Sequence, residues 1–183
     1  MEDIAAVFTR ESAALGRAYV RINESRIVQD DTLLHIDLGS CVSVVLCGQD
    51  KESSLWIGAN HLYKSRQDNM DLSLQQVATL YNMFREKNVT DIRCIGLFGG
   101  GYKEKSLARN VATMNIKTIL ETLDIFNLSI ELFQTGFSQS ISVYHSRLRD
   151  SIIVRHRELK TGSVQFFEIP LHTLFTAGNV SFP

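Results

Sequence analysis

The segment that most constrains this chain is Leu38-Gly39-Ser40-Cys41, followed directly by Val42-Ser43-Val44-Val45-Leu46. A nearly continuous apolar run that short, entered through a Gly-Ser turn, fits a buried strand. Other short β-like runs surround it, at Ala18–Ile22, Arg26–Gln29, Leu33–Asp37 and Leu55–Ala59. Helical spacing then appears at Leu74, Val77, Leu80, Tyr81 and Phe84, with Asp71 or Ser73 placed to cap its start. Residues 64–72 read as an exposed polar loop. A strand over Ile92–Leu97 leads into Phe98-Gly99-Gly100-Gly101, and a second helix over about residues 107–123 carries Val111, Met114, Ile119, Leu120 and Leu123. Leu128–Phe133, Ile141–Tyr144, Ile152–Arg155 and Val164–Phe167 complete the strand set. The pattern predicts one α/β domain over residues 1–183, with two main helices covering mostly consecutive strands. Its core spans about 18–168, with an N-terminal extension over 1–16 that could form a short helix. A tail from Pro170 (170–183) carries the apolar patch Leu171, Leu174 and Phe175.

A chain of 183 residues can bury enough surface to fold without a metal or disulfide. The net charge of −1, with basic residues scattered, gives no reason to expect a nucleic-acid partner. The densest basic stretch, Arg147 to Lys160, is interleaved with apolar residues and reads as a solvated strand face. The first sixteen residues lack the apolar core of a signal peptide, and no apolar run reaches bilayer-spanning length. The expectation is a cytoplasmic protein that inserts into no membrane, a monomer by default. Three cysteines with no C-x-x-C spacing fit neither a disulfide framework nor a zinc site. Carboxylates and histidines do not cluster at ligand spacing either, so neither metal nor cofactor is implied.

Cys41 therefore reads as either a small buried hydrophobe or a reactive thiol. Its place at an element's end, after a glycine that permits φ > 0 or a close backbone approach, suits a thiol presented to a cleft. Peptide N–H groups at such a turn can also face a developing oxyanion. Cys47 and Cys94, on or beside apolar strands, read as structural. A thiol nucleophile needs a base, and His61 follows the strand that comes next after that of Cys41. His145, His156 and His172 read as surface or strand histidines. Gly99-Gly100-Gly101 lacks the Gly-Lys-Ser/Thr ending of a phosphate loop. It reads instead as backbone that must pass close to something, such as the lip of a cleft at Cys41.

Taken in order, Leu38-Gly39-Ser40-Cys41-Val42, Ala59-Asn60-His61-Leu62, Leu97-Phe98-Gly99-Gly100 and Ala108-Arg109-Asn110 resemble the chemoreceptor glutamine deamidase (CheD) family. The resemblance runs from about Ala18 to Leu159. It implies a layered α/β sandwich of the cysteine-hydrolase, deamidase-like kind, with Cys41 as nucleophile and His61 as general base. Gly39, Ser40, Asn60, Phe98, Gly99 and Gly100 are the residues it implies around the cleft. The implied reaction hydrolyses glutamine side-chain amides to glutamate in methyl-accepting chemotaxis receptors. The implied second partner is a CheC-type phosphatase. Where the family usually has a catalytic threonine, six residues before the cysteine, this chain has His35, whose ring can accept or donate one hydrogen bond. The family's later glycine-rich segment is reduced to Gly136 within Gln134–Ile141. These departures sustain an alternative: a weakly active or inactive deamidase-like module that binds a phosphatase or the receptor array.

Overall fold

The computed structural model describes residues 2–29, 31–63, 70–101 and 107–175. Among them are four helices and ten strands: α1 (Ile4–Ser12), β1 (Gly16–Tyr19), β2 (Ser25–Gln29), β3 (Thr32–Leu38), β4 (Val42–Gln49), β5 (Leu55–Asn60), α2 (Met70–Glu86), β6 (Asp91–Gly100), α3 (Leu107–Ile125), β7 (Ile130–Phe137), β8 (Gln139–Ser146), β9 (Ser151–Glu158), β10 (Val164–Pro170) and α4 (Leu171–Phe175). The strands form two five-stranded mixed sheets, one ordered β1-β3-β8-β9-β10 and the other β2-β5-β4-β6-β7. Each has a single parallel pairing, β1 with β3 and β6 with β7.

Strand β4 shows why the sheets stack. Side chains alternate across a strand, so an apolar run fills two layers at once. Val42, Val44 and Leu46 pack with Val77, Leu80 and Phe84 of α2 and Ile119 and Leu123 of α3. Val45 and Cys47 face the other way, joining Ile57 and Ala59 of β5 and Leu34, Ile36, Ile141, Val143, Ile152 and Val154 from the opposite sheet. The alternation slips once on the neighbouring strand: the pairing shifts register between Val45 and Leu46, so Ile95 is the extra residue. Such a bulge re-aims the rest of its strand, and beyond it Phe98 joins the inter-sheet layer while Leu97 faces the helices. On the outer face of the first sheet, Val7 of α1 covers Leu33, Tyr144 and Ile153, and the Tyr144 hydroxyl donates to Glu11 at 2.7 Å. The layer order is thus helices, sheet, sheet, helix, an α/β architecture that agrees with the sequence pattern at that level.

Several boundaries differ. The helix expected from Leu74 already runs at Met70, so Asp71 and Ser73 lie within it and not at its cap; their side chains, and residues 64–69 of the expected loop, are outside the described residues. Leu74 and Leu120, counted in the apolar stripes, are exposed. The strand expected to stop at Leu97 continues through Gly100 because its glycines still pair with β4 and β7. The side chains of Arg109 and Asn110 and the tail after Phe175 are outside the described residues.

Candidate functional site

Cys41 sits in the short gap between the end of β3 and the start of β4, held from three sides by backbone. An isolated bridge pairs Val42 with Leu62, Val42 N donating to Leu62 O at 3.0 Å and Leu62 N to Val42 O at 2.8 Å. Gly100 N donates to the Cys41 carbonyl at 2.7 Å, and Gly101 N to the Gly39 carbonyl at 3.0 Å. The bridge sets the geometry of the pair. Val42 and Leu62 both face the helices, so by alternation Cys41 and His61 both face the inter-sheet layer, as diagonal neighbours on adjacent strands.

The His61 ring is buried. Its Nδ1 lies 3.1 Å from the Val20 carbonyl, which can only accept, so Nδ1 carries the proton in the neutral ring and Nε2 has the free lone pair. Nε2 is buried without a hydrogen-bond partner among the described residues. Backbone bonds fix the base of the side chain as well: His61 N donates to Glu24 O at 2.9 Å, and Asn23 N to His61 O at 2.6 Å. Burial pulls the imidazole below its ordinary value of 6.5, opposed in part by the Val20 hydrogen bond and the charge of Asp37. At neutral pH the ring is therefore uncharged and able to take a proton.

Burial acts on the thiol in the opposite sense. Cys41 is 6% exposed, and desolvation of its thiolate pushes it up to about 11. The resting group is a protonated thiol, not the pre-formed thiolate that a lowered pKa gives a catalytic cysteine in other settings. Cys47 and Cys94 are fully buried and also raised by desolvation, with the proximity of Cys94 adding to the shift of Cys47.

The glycine run explains how the backbone closes on the thiol. Gly99 has φ +99°, a region that side-chain-bearing residues rarely adopt, and a Cβ there would collide with the Cys41 carbonyl oxygen. A Cβ on Gly101 would collide with the backbone nitrogen of Ser138. That residue joins β7 to β8, so the Gln134–Ile141 segment packs beside the cysteine turn. One expectation from the turn itself does not hold: Gly39 has neither a positive φ nor a close neighbour and opens toward free space. On the neighbouring strand, the amides of Gly100 and Gly101 are taken up by the Cys41 and Gly39 carbonyls.

The other expected site residues divide. Phe98 is fully buried in the inter-sheet core and lines no open cleft. Ser40 is half-buried beside the thiol. Asn60 alternates to the helix side, where its Oδ1 accepts from Val44 N at 2.8 Å; it braces β4 and does not face Cys41. His35 is not brought to the pair either. Its neighbours Leu34 and Ile36 point into the inter-sheet layer, so His35 points out through the opposite face of its sheet. There Nδ1 lies 2.9 Å from Ser142 Oγ, Nε2 lies 3.4 Å from Ser140 Oγ and 3.3 Å from Asp37 Oδ1, and the ring packs edge-on against Tyr19. The group that orients His61 is the backbone carbonyl of Val20, which residue identity could not have revealed. Val20 follows β1 directly and extends its pairing, its N–H donating to His35 O at 3.0 Å. Among the described residues no group of three or more His, Cys, Asp or Glu could hold a metal ion, and no helix is long and apolar enough to cross a membrane.

No protein-family model matches the chain, and no curated protein does. Among solved structures, the C-terminal domain of CNFy from Yersinia pseudotuberculosis aligns with a TM-score of 0.31 at 7% identity, over 84% of this chain and 61% of that one. The aligned region thus spans less than two thirds of the other chain. A likeness of that size fixes neither fold nor activity.

Proposed function

We propose that the chain is a cysteine amidohydrolase, a protein-glutamine glutaminase that converts glutamine side chains of methyl-accepting chemotaxis receptors to glutamate. The observation that carries the reading is the diagonal placement of Cys41 and His61 on one sheet face, with Nδ1 tied to the Val20 carbonyl and Nε2 left buried without a hydrogen-bond partner among the described residues. The ordered LGSCV, ANHL and LFGG elements supply the substrate class by resemblance.

The chemistry follows from the tautomer. Nε2 takes the Cys41 proton as the sulfur adds to the glutamine Cδ, and the amide oxygen becomes an oxyanion. Collapse of that adduct breaks the C–N bond, and the imidazolium returns its proton to the departing ammonia. Water then attacks the thioester with His61 again as base, releasing glutamate and restoring the thiol. Because the resting thiol lies near 11, transfer to Nε2 must accompany attack and does not precede it.

The test is to incubate the protein with receptor cytoplasmic fragments and read mass increases of about one dalton at glutamines. Turnover by the wild type and none by Cys41→Ala supports the reading; equal turnover by both overturns it. One observation favours a second reading, a binding module for a CheC-type phosphatase: the 6% exposure of Cys41 leaves little sulfur for a substrate to meet. Capture of such a phosphatase, unchanged by Cys41→Ala and without any receptor mass shift, would establish it.

A further inference from the structure

A different surface stands directly behind His61. Arg17, Tyr19, Arg21, Ile22, Glu24 and Arg26 line an open pocket of about 500 Å³. Three guanidinium groups face one carboxylate there, and that carboxylate is occupied: Glu24 accepts from Arg21 N at 2.8 Å and lies 3.9 Å from Arg26 Nε. Arg26 donates to the Tyr19 carbonyl at 2.9 Å. The guanidinium groups of Arg17 and Arg21 make no hydrogen bond or ion pair among the described residues. Between them lie two large apolar side chains left open to solvent, Tyr19 at 52% and Ile22 at 57% exposure. A local surplus of positive charge on a chain whose net charge is −1 creates a field that selects for anionic partners.

The loop that forms this pocket is the one that holds the imidazole. Val20 accepts from Nδ1, Asn23 N donates to His61 O, and Glu24 O accepts from His61 N. Anything seated on Arg17 and Arg21 therefore lies along the backbone that fixes the base.

We propose that this pocket docks an acidic stretch of the substrate polypeptide, its carboxylates on Arg17 and Arg21 and a neighbouring apolar residue on Tyr19 and Ile22. The proposal rests on the reading of Cys41 and His61 as the reacting pair for its statement that the docked chain is the substrate. Arginine forks pair with carboxylates in a bidentate manner, so the contact has direction as well as charge. The occupant is polypeptide and not nucleic acid, because two free guanidinium groups flanking apolar side chains offer no track for a repeating phosphate backbone.

The experiment is fluorescence anisotropy of the full chain with a labelled glutamate-rich peptide that contains no glutamine, and with its neutral counterpart in which every glutamate is replaced by serine. The acidic peptide is expected to bind and the neutral one not, with affinity falling as salt rises. Arg17→Ala combined with Arg21→Ala is expected to weaken binding about tenfold or more, while Arg157→Ala, an exposed arginine on β9, leaves it unchanged. Both substituted arginines are exposed, so circular dichroism is expected to match the wild type. Equal binding by the double variant, equal binding of the neutral peptide, or displacement by a single-stranded oligonucleotide at lower concentration than the unlabelled peptide would overturn the proposal. Arginine-dependent binding in a protein that converts no receptor glutamine would leave the acidic-peptide pocket standing and remove the hydrolase reading alone.

Discussion

The entry to β4 and its interior carry the same side chain with different consequences. Cys47, in mid-strand, is sealed between sheets and raised by burial, with Cys94 on the neighbouring strand raised likewise. Cys41 faces the same layer six residues earlier, but at the strand's start, where the bridge to Leu62 brings His61 diagonal to it and the turn at Gly39 opens outward. The difference lies in position along the sheet and not in residue type: where the sheet runs out, a second strand sets an imidazole diagonal to the thiol, and in the strand interior the thiol meets only core.

The largest test of that contrast removes each thiol in turn. Cys41→Ala is expected to lower receptor glutamine deamidation by roughly a thousandfold or more, since no other group can form the thioester. Cys47→Ala, which touches only core, is expected to keep the wild-type rate and lose about 1 kcal/mol of stability, read by urea unfolding. Matching losses of activity would erase the distinction between the strand's entry and its interior. Next in size is the backbone clamp. Gly99→Ala puts a methyl against the Cys41 carbonyl at φ +99°. The expected cost is about 2–4 kcal/mol from strain and overpacking together, visible as a lowered unfolding midpoint. An undisturbed midpoint would mean that the glycine run does not hold the cysteine turn.

Labelling sharpens the comparison further. Iodoacetamide is expected to modify Cys41 about tenfold or more faster than Cys47 or Cys94, because alkylation needs access as well as thiolate. The rate should keep climbing above pH 9 toward about 11, as no thiolate is pre-formed. Peptide mapping of the modified protein reads the order, and first reaction at Cys94 would break the site assignment.

How far this site could be read from residues alone depends on which atoms do the work. The candidates Cys41 and His61 and the close approach of the glycine run were legible because side-chain identity or the lack of a side chain is what matters there. The helices and most strands followed from periodicity, which survives any detail of packing. Three things were not visible. The bulge at Ile95 shifts the strand's facing, and nothing in Cys94-Ile95-Gly96 marks one register over another. The Val20 carbonyl is a backbone group, equally present at every residue. The facing of His35 depends on strict alternation along β3, where Leu34 and Ile36 fall inward and leave it outside. Counting six residues back from the cysteine crosses a turn, so sequence distance says nothing about facing.

The pH dependence of stability separates buried imidazoles from buried thiols. His61 and His156 are both pulled below 6.5 by burial. A depressed pKa means that the unfolded chain binds the proton first, so the stability they contribute is present above 6.5 and lost as pH falls through their folded values. The three thiols are raised from 9.0; their contribution is present below 9.0 and is lost as pH rises beyond it. Chemical unfolding is expected to show a plateau between these limits. His61→Gln should flatten the acid limb in part, with His156 supplying the remainder, and an acid limb identical to wild type would place the His61 ring in solvent.

The smallest expected effect belongs to His35, and its smallness is the point. The ring sits on the outer face among Ser142, Ser140 and Asp37, while Cys41 and His61 face the inner layer. Replacing it by alanine removes two part-buried hydrogen bonds, to Ser142 and Ser140, for a loss of about 1–2 kcal/mol. A residue that oriented His61 would instead change the turnover rate and the pH at which turnover falls away. His35→Ala is therefore expected to leave both the rate and its pH profile as in the wild type, and His35→Thr, the residue the resemblance would place there, is expected to do the same. A rise in turnover with threonine, or a shifted acid limb with alanine, would show that the outer face of β3 reaches the base through Val20, whose N–H already donates to the His35 carbonyl at 3.0 Å.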